Sequence, residues 1–220
     1  MSKQALIEHR PWLLASIAAA IAFYLLRDTA LGGIQLMLLK GCGAALLAVY
    51  ALRRGVGQDA QLLAGMLALC ALGDMLIEID LMFGGASFFL AHMAGLALFL
   101  RNPREEVTGS QKAAGAALLL LTPLLSWLLS GDYNIGIYGL ALGGMAGAAW
   151  MSRFPRYRVG IGAVLFVISD LLIFSQYGSL DIRPLPELLI WPLYYVGVFL
   201  IAAGVVQTLL RDQLETAWQR

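Results

Sequence analysis

An all-α, polytopic membrane bundle of eight transmembrane helices with both termini cytoplasmic is the fold class this sequence predicts, on three observations. Hydrophobic residues fill 60% of the 220 positions and charged residues 13%, and the mean hydropathy is +0.77, far above that of an ordinary soluble domain. Charges gather in short spacers between apolar runs of about 16 to 24 residues, each long enough to cross roughly 30 Å of hydrocarbon as a helix. The basic residues fall overwhelmingly on alternate spacers.

The first run, 11–26, follows Lys3 and Arg10 and contains Ala18-Ala19-Ala20. A cleaved secretory signal has similar features. Removing the run would put the chain ends on opposite sides, against the charge distribution, so a retained span is expected. The second, 31–52, carries Lys40 beside Gly41 and Gly43, small residues that let helices approach closely. The third, 60–79, carries Asp74 and Glu78, four residues apart and so on one helical face, although Glu78, followed by Ile79 and Asp80 at the helix end, reads equally as reaching the outer headgroups. His92 lies in the fourth, 84–100. Pro123 interrupts the fifth, 112–130, and the sixth, 133–152, holds the packing residues Gly139, Gly143, Gly144 and Gly147. The seventh, 158–177, carries Ser169 and Asp170. In the eighth, 187–210, Pro192 falls just before Tyr194 and Tyr195, where either a kink aims both phenols toward a pocket or the two rings serve aromatic packing.

Spacers this short leave no room for a soluble domain, so 1–220 is expected to form a single transmembrane domain. Cys42 and Cys70 both fall within spans, where small apolar packing is the usual role and no disulfide is implied. A net charge of +1 supplies no basic face and argues against a nucleic-acid partner.

Eight spans put both termini on one side, together with Lys3, Arg10, Arg53, Arg54, Arg101, Arg104, Lys112, Arg153, Arg156, Arg158, Arg211 and Arg220. Arg27 and Arg183 fall on the other side. Twelve against two is a positive-inside signal, which places both termini in the cytoplasm, expected to be that of a bacterial inner membrane.

That topology sets depths. At about 1.5 Å per helical residue, Asp74 lies roughly 8 Å and Glu78 about 2 Å below the noncytoplasmic end of the third span. Asp170 lies roughly 10 Å down, and Lys40, His92 and Tyr194 about 10 to 14 Å. Five helices thus place polar groups at one level, which predicts a hydrophilic pocket in the noncytoplasmic half of the bilayer. An ionisable group at such depth is expensive and marks a functional site by default. The strings Gly73-Asp74-Met75-Leu76-Ile77 and Ser169-Asp170-Leu171-Leu172-Ile173 are 96 residues and four spans apart, the pattern of a four-plus-four parallel duplication or of chance similarity in apolar sequence.

The motifs follow in a recognisable order. Gly73, Asp74 and Leu76 or Ile77 form the first; Phe83, Gly85, Phe88, Ala91 and His92 the second; Phe166, Ser169 and Asp170 the third; Tyr194, Tyr195, Leu200 and Ile201 the fourth. In this order, with Lys40 ahead of them, they resemble the YhhN family of lysoplasmalogenase-type membrane hydrolases. Val198 stands where that family commonly has Gln, and Ala94-Gly95 where an aromatic residue often follows the His motif. The resemblance implies cleavage of the vinyl ether bond of a lysophospholipid substrate drawn from the surrounding membrane lipids, releasing a fatty aldehyde and a glycerophospho-base.

Enol ether hydrolysis begins with protonation of the alkene carbon and proceeds through an oxocarbenium ion captured by water, so it needs an acid, a negative neighbour and a water. Paired carboxyl groups divide such work between general acid and cation stabiliser. Asp74 and Asp170 are the candidates, with His92 to orient or activate the water. Lys40 either neutralises an aspartate or contacts the lipid phosphate, and Glu78, Tyr194, Tyr195 and Ser169 complete the expected substrate contacts. Ser169, about 100° around the helix from Asp170, reads as a hydrogen-bonding residue rather than a nucleophile. Asp74, Glu78, His92 and Asp170 would suit a divalent cation if they converged. With one histidine in the spans, no HExxH-like pair and Lys40 opposing a cation, neither metal nor cofactor is expected. A proton-coupled transporter is the alternative, since buried Asp, His and Lys also build proton relays. The apolar inner halves of the helices favour a one-sided pocket instead.

Overall fold

A computed structural model of the chain describes residues 10–29 and 32–218. Lys3, Arg220 and Leu31, the first residue of the second expected span, lie outside the described residues, as does the side chain of Arg10. The helices are α1 (Arg10–Leu26), α2 (Ile34–Arg54), α3 (Gln58–Leu76), α4 (Leu81–Leu100), α5 (Gly109–Ser130), α6 (Tyr133–Met151), α7 (Ile161–Ser175) and α8 (Leu185–Trp218). A π-helical turn, Arg156–Gly160, leads into α7. Among the described residues no strand forms, and one isolated bridge joins Pro103 to Ser152.

Among the described residues six helices are long and apolar enough to span a bilayer: α2, α3, α4, α5, α7 with its π-helical turn, and α8. The chain is thus an all-helical, multi-pass membrane protein. Of the eight expected spans, α1 is shorter, an apolar stretch over Pro11–Leu26. The composition of α6, with five glycines, two tyrosines and an asparagine, is the reason it falls short of the others in hydropathy. The second half of α6 is largely buried, with nine residues from Gly139 to Ala149 packed inside, so that half is selected for packing rather than for lipid. The reverse holds for α5, whose Leu120, Leu121, Leu124, Trp127 and Leu128 are exposed, a face suited to acyl chains.

Most helix ends fall within three residues of expectation, and two of the differences have a physical reason. α3 stops at Leu76, three residues short, because Asp80 caps the next helix: its Oδ1 accepts from the backbone N–H of Met82 at 2.8 Å and of Phe83 at 3.1 Å. Replacing Asp80 with alanine is expected to lower stability by about 1 kcal/mol, read as an earlier unfolding midpoint in detergent. α8 runs on to Trp218, eight residues beyond the expected 210. No Gly or Pro interrupts that polar extension, and an i,i+4 pair, Arg211 Nε to Glu215 Oε1 at 2.8 Å, supports it.

The described residues group into two compact units. One takes in those up to Ala94 together with those from Val206 onward; the other is Gly95–Val205. In the first, Leu47, Leu63, Met66 and Leu67 are fully buried, and Ser16 Oγ on α1 donates to the Gly43 carbonyl on α2 at 2.7 Å. In the second, Phe99, Leu142, Met145, Phe154 and Phe166 form the interior. There α5 and α6 touch backbone to backbone. A Cβ on Gly143 would lie 2.5 Å from the Leu118 carbonyl oxygen, and one on Gly147 2.7 Å from that of Gly115. Helices α7 and α8 meet in the same way at Gly162 and Gly197, where a Cβ on either would lie 2.6 Å from the other's carbonyl oxygen. Without hydrophobic exclusion between helices in lipid, such close approach supplies the packing energy.

Candidate functional site

The expected site residues divide between the units. In the first, Asp74 lies on the last turn of α3, only 2% exposed, and His92 on α4 is fully buried. α3 and α4 are consecutive, and the absent side chain of Gly73 makes room for the Phe88 ring, which would lie 2.8 Å from a Cβ there. Asp74 is thereby set next to a close contact of the hairpin. His92 follows one turn after Phe88, about 6 Å further along α4.

Glu78 does not continue the α3 face that carries Asp74. With the helix ended at Leu76, Glu78 falls in the turn between α3 and α4, its N–H bonded to the Met75 carbonyl at 3.3 Å. From there it meets Lys40 of α2, Nζ to Oε1 at 2.5 Å. The ammonium also stands 5.5 Å from the centroid of the Phe23 ring on α1, a cation–π distance. Lys40 is largely buried and Glu78 close to half-exposed, so the pair ties three elements of this unit together at the rim of α2.

In the second unit Asp170 is 5% exposed on α7 and accepts a hydrogen bond from the hydroxyl of Tyr138 on α6, 2.8 Å to Oδ2. The Tyr138 ring packs edge-on against Phe174, one turn beyond Asp170, with centroids 5.5 Å apart at 83°. Ser169 donates to the Ile190 carbonyl of α8 at 3.0 Å, a tie between helices in keeping with its position about 100° from Asp170. Tyr194 is buried, with its ring edge-on to Phe166 at 5.1 Å and tilted against Trp191 at 5.6 Å. Tyr195 stacks on Trp191 at 6.2 Å and 19°. The two tyrosines after Pro192 therefore belong to an aromatic cluster built around Trp191.

Tyr138 is the residue that sequence reasoning missed. The signal was present: Tyr138 stands five residues into the sixth expected span, about 8 Å deep, the level already assigned to Asp170. Among the described residues no three His, Cys, Asp or Glu side chains gather as a metal-holding set.

Apolar helices long enough to span a bilayer, with Asp74, His92 and Asp170 buried among them, define a multi-pass helical membrane protein. The chain belongs to the YhhN family, whose model matches residues 35–205, a stretch that includes every site residue named above. It is 30% identical over 178 residues to proteins of Mycobacterium bovis and Mycobacterium tuberculosis named lysoplasmalogenase, covering 75% of this chain and 68% of each relative. A human protein named Lysoplasmalogenase TMEM86A is 32% identical over 133 residues, covering 55% of this chain and 53% of the relative. No solved structure matches the chain.

Proposed function

We propose that the chain is a lysoplasmalogenase of the membrane: an ether hydrolase that cleaves the vinyl ether bond of lysoplasmalogen-type lysophospholipids to a fatty aldehyde and a glycerophospho-base, in a bacterial inner membrane. The observation that carries this reading is the match, over 75% of the chain, to relatives bearing that name. Enzyme relatives also weigh against the transporter.

The reaction is balanced by one water. A carboxyl group delivers a proton to the alkene carbon distal to the oxygen, leaving positive charge shared between the proximal carbon and the ether oxygen. Water adds to that carbon and gives up a proton. The hemiacetal then collapses, its C–O bond to glycerol breaking as the glycerol oxygen is protonated. Asp170 is assigned to the positive charge: its Oδ2 already accepts from Tyr138 and is held in place to face a developing cation. Asp74 and His92 are assigned, from their sequence positions and burial, as the acid and as the base that takes the water's proton. Tyr194, Tyr195 and Lys40 with Glu78 are assigned to substrate binding, and Ser169 keeps α7 on α8.

Purified protein incubated with matched alkenyl and acyl lysophospholipids is expected to release aldehyde from the alkenyl lipid alone, with or without EDTA. Release of fatty acid from the acyl lipid instead would replace the ether hydrolase with an esterase. Replacing Tyr138 with phenylalanine is expected to lower kcat about tenfold, the worth of one hydrogen bond to a carboxyl group, and to cost about 1 to 3 kcal/mol of stability because a buried oxygen of Asp170 loses a donor, so kcat is read well below the unfolding midpoint. An unaltered kcat would remove Tyr138 from the mechanism.

A further inference from the structure

We infer that the loop joining α7 to α8 is the headgroup site, and that it takes a zwitterionic phospho-base, phosphate against Arg183 and ammonium against Asp181. The inference rests on the lysolipid reading above and specifies which headgroups it accepts.

A cavity of about 320 Å³ opens in this loop, lined by Ser175, Gln176, Ser179, Asp181 and Arg183 among others. That is room for about ten waters, which suits a phospho-base of about as many heavy atoms. The loop is seated firmly, since Gly178 lies against the Leu129 carbonyl at the end of α5, too close to admit a Cβ. Position along α7 fits the substrate. Ser175 at the cavity wall is five residues past Asp170, about 7 to 8 Å along the helix axis. In a lysoplasmalogen the vinyl ether oxygen and the phosphorus are five bonds apart, about 6 Å when extended. A headgroup in the loop therefore leaves the vinyl ether at the level of Asp170.

The charges of the loop form a dipole complementary to a zwitterion. Arg183 Nη2 lies 2.7 Å from Asp181 Oδ2 and Nε 2.9 Å from Oδ1, and the Arg183 backbone N–H bonds Oδ1 at 3.1 Å. These hydrogen bonds hold the Asp181 carboxyl well below its ordinary value, at about 2, so it is ionised throughout the neutral range. Both side chains remain largely exposed, 72% and 61%. An exposed pair of this kind is weak, so its two ends are open to re-partnering by two opposite charges on one ligand. The guanidinium fork suits phosphate oxygens. A headgroup that carries phosphate alone would take Arg183 from Asp181 and leave that carboxylate beside a second anion with no cation to meet it, which disfavours it against a zwitterion.

The test compares Kd values in detergent for lysophosphatidylcholine, lysophosphatidic acid and monoacylglycerol, and the ratio of kcat/KM for an alkenyl lysophosphocholine to that for the alkenyl glycerol lacking the phospho-base. Wild type is expected to bind lysophosphatidylcholine most tightly, undisturbed by millimolar inorganic phosphate. R183A is expected to weaken that binding and to lower the ratio about tenfold, the loss of a charge-assisted contact. D181A is expected to bring lysophosphatidic acid level with lysophosphatidylcholine. Unchanged binding and an unchanged ratio in R183A would overturn the headgroup site while leaving the hydrolase standing. No aldehyde from any alkenyl lipid in wild type, with lysophosphatidylcholine binding still lost in R183A, would do the opposite.

Discussion

Asp170→Asn is expected to reduce turnover of an alkenyl lysophospholipid by at least about a hundredfold, the usual worth of a positioned catalytic carboxyl group. Asparagine keeps the shape of the side chain and an oxygen to accept the Tyr138 hydroxyl, so the contact at 2.8 Å has a replacement and the fold has little reason to change. In the proposed mechanism, what is lost is the carboxyl group assigned to face the oxocarbenium ion. Substrate affinity is expected to hold while kcat falls, since the interaction strengthens only as charge develops. Asp74→Asn is expected to match it in size, because a buried amide cannot deliver a proton to carbon. Aldehyde release, followed beside the unfolding midpoint of each variant, separates loss of chemistry from loss of structure. Wild-type rates in either variant would remove that carboxyl from the mechanism.

The second large effect concerns packing. Gly143→Val is expected to destabilise the second unit by about 3 kcal/mol, the upper end for overpacking a tight interior. A Cβ at that position would stand 2.5 Å from the Leu118 carbonyl oxygen and 2.9 Å from Thr122 Cβ, so α5 and α6 must part to admit it. Backbone cannot yield as the end of a flexible side chain does. The neighbouring Gly144 is the control, because a Cβ there meets only Leu119 and Leu96 side chains, at 3.7 and 3.9 Å, ordinary contact distances. Gly144→Val is therefore expected to stay near wild type. Thermal aggregation midpoints of the two variants in one detergent check the contrast, and equal midpoints would refute the account of α5 and α6.

Why some features were legible in sequence and others were not follows from how they are encoded. Helix positions are written in run length: an apolar run flanked by charge has one way to satisfy its backbone in lipid, and each of the eight runs lies on a helix. The π-helical turn at Arg156–Gly160 left no such mark, because run length does not distinguish hydrogen-bond registers. The end of α3 was written in Asp80 rather than in hydropathy; Ile77 and Ile79 are as apolar as the helix before them, and only the capping carboxylate announces α4. That single residue moved Glu78 from the helix face into the turn beside Lys40. Packing glycines were legible as a class but not individually, since Gly143 and Gly144 differ only in which way a helix turns them. Tyr138 was hidden because a phenol in a span has many innocent uses. Its link to Asp170 depends on how α6 and α7 pack, which a one-dimensional depth scale records in level but not in direction.

The most direct trial of the central claim follows aldehyde formation from an alkenyl lysophospholipid by the purified wild-type protein in H2O and in D2O. If a buried carboxyl group protonates the alkene carbon in the slow step, one aldehyde appears for each lipid consumed, and the reaction runs more slowly in D2O. Lipid consumed without aldehyde, or the same rate in both solvents, would contradict it.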